Sequence, residues 1–378
     1  MTFSAIIWNA APDIFKTGVF EVFGFELGPL EVRWYGLLFA MGFLIGQYIL
    51  IKIFKQEGKP ESNVEDLTLY VVLATVIGAR LGHCLFYQPD YYLSNPIEIL
   101  KIWEGGLASH GASIGILFAL WLYSRKHKDQ SYMWILDRII IVVALGSAFV
   151  RFGNFMNSEI VGKPADTFAS VVFARDGGKY LSNEIDKAFS MKIVDDIEAR
   201  GIVGEDTIIG GVVHQPMEYR FELAQAADAK VVRGVANKYI DNYFGQSSRL
   251  QEHVYINPNT AQPYQLATGN ISKFTVKAWG KPRHPSQLYE SISCFILFFL
   301  LLAIYFRYKK ELPSGLNFGI FMVWVWVLRF SYEFFKENQV AFEDDLSLNM
   351  GQWLSIPLII AGFIVLFNAL KNKKALKK

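Results

Sequence analysis

Residues 33–54 read RWYGLLFAMGFLIGQYILIKIF, and the kind of chain is decided by that stretch. About 20 apolar residues rising 1.5 Å each cover a hydrocarbon layer roughly 30 Å thick. Six further runs of this kind follow at roughly 67–87, 106–124, 135–157, 286–306, 316–335 and 351–370. The pattern predicts an all-α polytopic membrane protein of about seven transmembrane helices. Composition agrees: 52% of the 378 residues are hydrophobic and only 19% are charged. A soluble chain of this size would scatter its apolar residues through strands and helices instead of gathering them. Cys84 and Cys294 sit inside apolar runs without metal-ligand spacing or a disulfide framework. They read as small buried apolar residues. The first thirty residues lack a basic segment followed by a compact apolar one, so no cleavable signal peptide is expected.

The connections alternate in charge. Lys52, Lys55 and Lys59 follow the first run, and Arg125, Lys126, Lys128 and Arg138 lie between the third and fourth. Arg307, Lys309 and Lys310 follow the fifth, and Lys371, Lys373, Lys374, Lys377 and Lys378 fill the tail. The other connections carry few basic residues: Lys16, Lys101 and Lys336. Cytoplasmic loops collect Lys and Arg, which sets the N-terminus outside and the C-terminus in the cytoplasm.

Residues 163–283 differ in kind. About a quarter of them are charged, both signs are mixed, and no spanning run occurs. Short β-branched pieces at Ser170 to Ala174, Ile208 to His214 and Ser272 to Ala278 suggest strands. Asn183 to Arg200 and Phe221 to Tyr243 read as helices. The expected organisation is therefore a membrane part over 1–162, an extracytoplasmic α+β insertion over 163–283, and a second membrane part with a basic tail over 284–378.

Several polar groups stand where hydrocarbon is expected. Arg80, Arg151 and Arg329 fall in the second, fourth and sixth runs, although an arginine at a span's centre costs roughly 2.5–3.5 kcal/mol on insertion scales. Each lies about thirteen residues from the cytoplasmic start of its run, roughly 20 Å up the helix. His110 and Tyr35 open the third and first runs from the outer side. One polar cavity in the outer half of the bilayer accounts for all five. A structural reading also stands: each arginine is a counter-ion or snorkels to the interface, and Arg329 has Glu333 at i+4. The functional reading is an anion site at the outer leaflet, because the planar guanidinium fork matches phosphate.

Four segments carry these groups. Gly105 to Gly115 is GGLASHGASIG, whose small residues allow close helix approach. Arg151 to Gly162 is RFGNFMNSEIVG, with Arg151, Asn154 and Asn157 at three-residue steps on one helical face and Glu159 beyond. Pro282 to Glu290 is PRHPSQLYE, where Pro285 suits the first turn of a helix. Leu328 to Glu337 is LRFSYEFFKE.

Together with VRWYG at Val32 and MGQWLSIP ending at Pro357, these blocks resemble the prolipoprotein diacylglyceryl transferase family in order and spacing. The resemblance implies a seven-helix fold in the bacterial inner membrane. It also implies a reaction without metal, cofactor or nucleic acid. Phosphatidylglycerol would be the membrane-lipid donor and the lipobox cysteine beside a preprolipoprotein signal segment the acceptor. A thioether forms and glycerol phosphate leaves. By motif, His110 takes the place of the family's functional histidine, Tyr35 that of its first-block tyrosine, and Arg329 that of its sixth-span arginine. Arg151, Asn154, Glu159 and Gly162 take the places of its signature segment. Arg80 and Glu333 join them as expected lipid-site residues. Two positions depart from the family pattern, with Val325 for a tyrosine and Lys336 for an arginine. The region 163–283 looks enlarged relative to common members.

In the mechanism expected on these residues, His110 accepts the thiol proton, since an imidazole near pKa 6.5 can do so at neutral pH. Arg151 and Arg329 stabilise the departing phosphate. A transporter for an anionic solute is the alternative. It calls for a polar path to the cytoplasmic side and paired repeats, and neither is evident in the sequence.

Overall fold

Long apolar runs satisfy their own backbone groups as helices, which is what a hydrocarbon surrounding demands. The computed structural model describes residues 5–18, 20–22, 25–27, 31–101, 105–175, 177–179, 181, 198–239, 253–256, 261–263, 270–336 and 347–375. Its longer helices are α1 (Trp34–Gln56), α2 (Ser62–Phe86), α4 (Ser109–Lys126) and α5 (Tyr132–Met156), with the short α3 (Pro89–Ser94) between α2 and α4. They continue with α6 (Ala229–Tyr239), α7 (Ser286–Tyr308), α8 (Leu316–Tyr332) and α9 (Met350–Ala375). Among the described residues six helices, α1, α2, α5, α7, α8 and α9, are long and apolar enough to cross a membrane. The third expected span coincides with α4, which is not one of the six. Its 18 residues open on Ser109, His110 and Gly111 and close on Arg125 and Lys126. Both α2 and α5 start earlier than their apolar runs, because polar first turns such as Ser62 to Asp66 are helical too. Equal spacing of the arginines from their helix starts is therefore not kept.

The chain divides into two compact units. One contains Leu38–Val150, Ser291–Phe330 and Met350–Lys378. Its core is built from Phe54, Leu67, Leu120, Tyr123, Ile141, Leu301 and Tyr305. Here α2 and α4 pack through glycines: a Cβ on Gly82 would lie 2.6 Å from Gly111 Cα. Removing side chains is what lets two backbones meet at that distance. At the basic ends Arg138 and Glu57 form a buried bidentate pair, Nε–Oε1 3.0 Å and Nη2–Oε2 3.1 Å. Asp137 accepts from the backbone N–H of Gly315 at 2.6 Å and of Phe318 at 3.0 Å, capping the start of α8.

The other unit contains Met1–Leu37, Arg151–Glu290 and Ser331–Asn349. It holds a sheet centred on the antiparallel pair Val212–Asp228 and Asn270–Gly280. Glu198–Gly201 and Thr207–Ile209 pair with the first of these, and Val254–Tyr255 and Ala261–Pro263 with the second. Ile6–Trp8 runs parallel to Val171–Phe173, and Ala5, Val172 and Ala174 join the core of the sheet.

The strand pieces near 170–174, 208–214 and 272–278 are present; the middle one is a hairpin turning at Gly210 and Gly211, both at positive φ. The expected helix over Phe221–Tyr243 is corrected. Residues to Asp228 continue the strand, and only Ala229–Tyr239 is helical among the described residues. Phe221 and Leu223 alternate into the core, with Phe221 stacked on Phe274 at 4.9 Å, so ladder pairing overrides the helix propensity of the alanines. Most of the expected helix Asn183–Arg200 lies outside the described residues, and its last residues, from Glu198 on, lie in the strand Glu198–Gly201.

Candidate active site

Just beyond Val150, α5 carries Arg151, which falls in the sheet-bearing unit. Its Nε lies 2.6 Å from Glu290 Oε2 on the first turns of α7. The other oxygen of Glu290 meets Lys336 Nζ, whose side chain is 6% exposed. Lys336 also faces Glu333 Oε1 at 3.4 Å, and Asn349 donates to Glu333 Oε2 at 3.1 Å. Two cations and two carboxylates thus alternate. Removing one member of such a buried pair costs roughly 3–5 kcal/mol, because the survivor stays desolvated.

The end of α5 is held by side-chain amides. Asn154 and Asn157 each donate at 3.3 Å to one oxygen of Glu159. Ser158 and Ile160 have positive φ, a strained conformation for a β-branched residue such as Ile160. Neighbouring hydrogen bonds hold that turn: Ser286 Oγ donates to the Ile160 carbonyl at 2.8 Å, and Gln287 donates to the Glu159 carbonyl. Gly162 N–H donates to the His284 carbonyl at 3.0 Å, its own carbonyl accepts from Arg283 at 3.0 Å, and Lys163 N–H reaches the Phe335 carbonyl at 2.7 Å. A Cβ on Gly162 would lie 2.6 Å from the His284 oxygen and 2.8 Å from the Phe335 oxygen. Only glycine lets these three segments meet. Tyr35 packs against Gly153, where a Cβ would lie 2.9 Å from the tyrosine ring. Outside the spans, burial pushes the His284 imidazole below its usual pKa; its Nδ1 lies 3.2 Å from the Tyr289 hydroxyl.

In the helical unit Arg80 is 3% exposed and faces backbone. It donates through Nε to Ile99 O at 2.8 Å, through Nη2 to Glu98 O at 2.6 Å, and through Nη1 to Gly105 O at 2.7 Å. Its guanidinium also lies over the Tyr92 ring, 5.0 Å from the centroid. The loop it grips leads into His110. Gly106 has φ 72°, and a Cβ there would lie 2.6 Å from the His83 ring and 2.9 Å from Arg80 Nη1. The exposed His110 ring sits edge-on to Phe86 at 5.1 Å, with Tyr87 at 5.8 Å. Arg329, near the end of α8, is half-buried with its guanidinium 5.9 Å from the Trp326 ring centroid. Beside Val325, Trp324 donates to Ser293 O at 3.2 Å.

Tyr35, Arg151, Asn154, Glu159, Gly162 and Glu333 therefore belong to one unit, and Arg80, His110 and Arg329 to the other. Sequence reasoning missed Glu290, although it stands inside a quoted motif. A carboxylate in a span is as costly as an arginine and marks a paired group in the same way.

The sequence pattern of prolipoprotein diacylglyceryl transferases matches residues 23–368. The chain belongs to that family. Relatives named phosphatidylglycerol–prolipoprotein diacylglyceryl transferase in Tolumonas auensis and Chloroherpeton thalassium are each 34% identical to it, over 97% and 98% of this chain and 99% and 97% of their own lengths. A third, from Bacteroides fragilis, is 30% identical over 98% of this chain and 97% of its own. These relatives align with the chain over nearly the full length of both.

Proposed function

We propose that the chain is a bacterial membrane enzyme that moves the diacylglyceryl group of phosphatidylglycerol onto the cysteine thiol of a prolipoprotein. The observation that carries this reading is the family match over residues 23–368, joined by full-length relatives of that name. The thiolate attacks the glyceryl carbon bearing the phosphate. A C–S bond forms, the C–O bond breaks, and glycerol phosphate leaves with the electron pair. The transporter reading gains nothing from the comparisons.

The finer assignments rest on chemistry. Arg151 and Arg329 hold the phosphate and take up the charge that gathers on it, an effect that strengthens where water is scarce. His110 accepts the thiol proton, and its exposed ring at the opening of α4 suits that task. Tyr35 and Asn154 orient the headgroup. Glu159 braces Asn154 and Asn157, and Gly162 and Glu333 shape the outer wall. For Arg80 we favour holding the loop before His110 over touching lipid, since carbonyls face its donors. We take α4 as a seventh span, the N-terminus as external, the C-terminus as cytoplasmic, and the membrane as the inner one. Residues 163–283 then form an extracytoplasmic insertion between membrane parts 1–162 and 284–378. Incubating purified protein with headgroup-labelled phosphatidylglycerol and a lipobox peptide tests the function. Released glycerol phosphate that depends on the peptide's cysteine is expected, and no release would overturn the reading.

A further inference from the structure

The charge network around Arg151 contains a group that the proposed mechanism does not use. Glu290 gives one oxygen to Arg151 Nε at 2.6 Å and the other to Lys336 Nζ. Its side chain is 12% exposed. The segments bearing its partners are themselves fixed: Gly162 N–H to His284 O, Lys163 N–H to Phe335 O, and Gly162 paired with Lys336 in an isolated β-bridge. The carboxylate is therefore a fixed point, and its direction sets that of the arginine. Because it takes hold at Nε, it acts on the side of the guanidinium and leaves the paired Nη nitrogens as the fork that phosphate accepts best.

We infer that Glu290 is a positioning residue for the transfer reaction, dividing its carboxylate between Arg151 and Lys336 so that the Arg151 fork meets the lipid phosphate. This rests on the reading of Arg151 given above. The division between two cations explains why a carboxylate is needed. A glutamine offers one oxygen and one N–H₂, so whichever cation meets the N–H₂ is repelled. With Lys336 also replaced by an apolar side chain, the amide can turn its oxygen to Arg151 alone.

The test is a double-mutant cycle read as kcat and KM with phosphatidylglycerol vesicles and a lipobox peptide. Glu290→Gln in the native background is expected to lower kcat about 30-fold or more, with KM for the lipid within about threefold. In a Lys336→Met background the same change should cost less than about threefold, a coupling that independent structural losses do not produce. Equal losses in both backgrounds, or a loss confined to KM, overturn the inference. Should Glu290→Gln fail to fold, Glu290→Asp keeps the charge but withdraws the oxygen by one methylene. It should lower kcat about tenfold with the melting temperature nearly unchanged, and native kcat would overturn the proposal. Arg151→Ala runs alongside. If it turns over normally, the reading of Arg151 fails; if it is inactive while Glu290 variants are unaffected, only the positioning role falls.

Discussion

Arg80 and Arg151 look alike in the sequence, each an arginine far along an apolar helix, yet their surroundings differ in kind. Arg80 donates to the carbonyls of Glu98, Ile99 and Gly105. Those acceptors are backbone oxygens on the segment that leads into α4. Arg151 meets a carboxylate through Nε, and its side chain is 25% exposed. A guanidinium surrounded by backbone oxygens organises the chain, whereas one braced from the side by an acid can offer its fork to an anion. An intramembrane arginine thus announces only that the cost of burial has been met. Its partners say what met it.

The contrast breaks most visibly by truncation. Arg151→Ala is expected to lower transfer about 1000-fold or more, as loss of a charge stabiliser in a dry site can, with the protein still folded. Arg329→Ala should behave likewise. Peptide modification followed by mass spectrometry reads both, and near-normal rates from the pair would end the phosphate-holding assignment. Arg80→Ala should act in the opposite order: the melting temperature falls first, since each lost bond from a charged donor removes about 1.5–3 kcal/mol. Activity then falls in step with the folded fraction. An Arg80 variant that is stable but inactive would put Arg80 among the lipid-binding groups instead.

A third variant probes the frame around Arg151. Gly162→Ala places a methyl against two backbone oxygens and should destabilise by about 1–3 kcal/mol, as overpacking does; an unchanged melting temperature would contradict the close approach. The smallest effect expected is on acid stability. His284 is held below its usual pKa by burial, so the unfolded chain binds more protons than the folded one in the interval between the two values. Stability from the neutral ring is complete above about pH 6.5 and is lost as pH falls through the lower folded value. His284→Gln should therefore lessen the drop in melting temperature between neutral and mildly acid pH, and an identical drop would remove His284 from that account.

How far these features could be read beforehand depends on the range of the interaction. Apolar length is local, so six of the seven expected spans reappear as helices apolar enough to cross a membrane, and the other matches α4. The shortfall of α4 comes from its ends: 18 residues that open on Ser109 and His110 and close on Arg125 and Lys126 leave only a short apolar stretch between them. The strand through Phe221 was hidden because its partner, Asn270–Gly280, lies some 50 residues on, and local propensity pointed to helix. At the site, Arg151, Asn154, Glu159 and Gly162 were legible as a block. The reason for Gly162 was not, because the oxygens that forbid a Cβ come from residues 284 and 335. Glu290 was hidden for the same reason: its cations, Arg151 and Lys336, come from distant segments, whereas Glu333 stands one turn from Arg329.

The most direct measurement combines chemistry with the arginine that separates the two regions. Native protein and Arg151→Ala, matched for folded content, are each given phosphatidylglycerol and a lipobox peptide, and the peptide's mass is followed. The native enzyme should add one diacylglyceryl group per cysteine and release an equal amount of glycerol phosphate, while the variant does neither. An unmodified peptide with the native protein, or equal modification by both, would contradict the account.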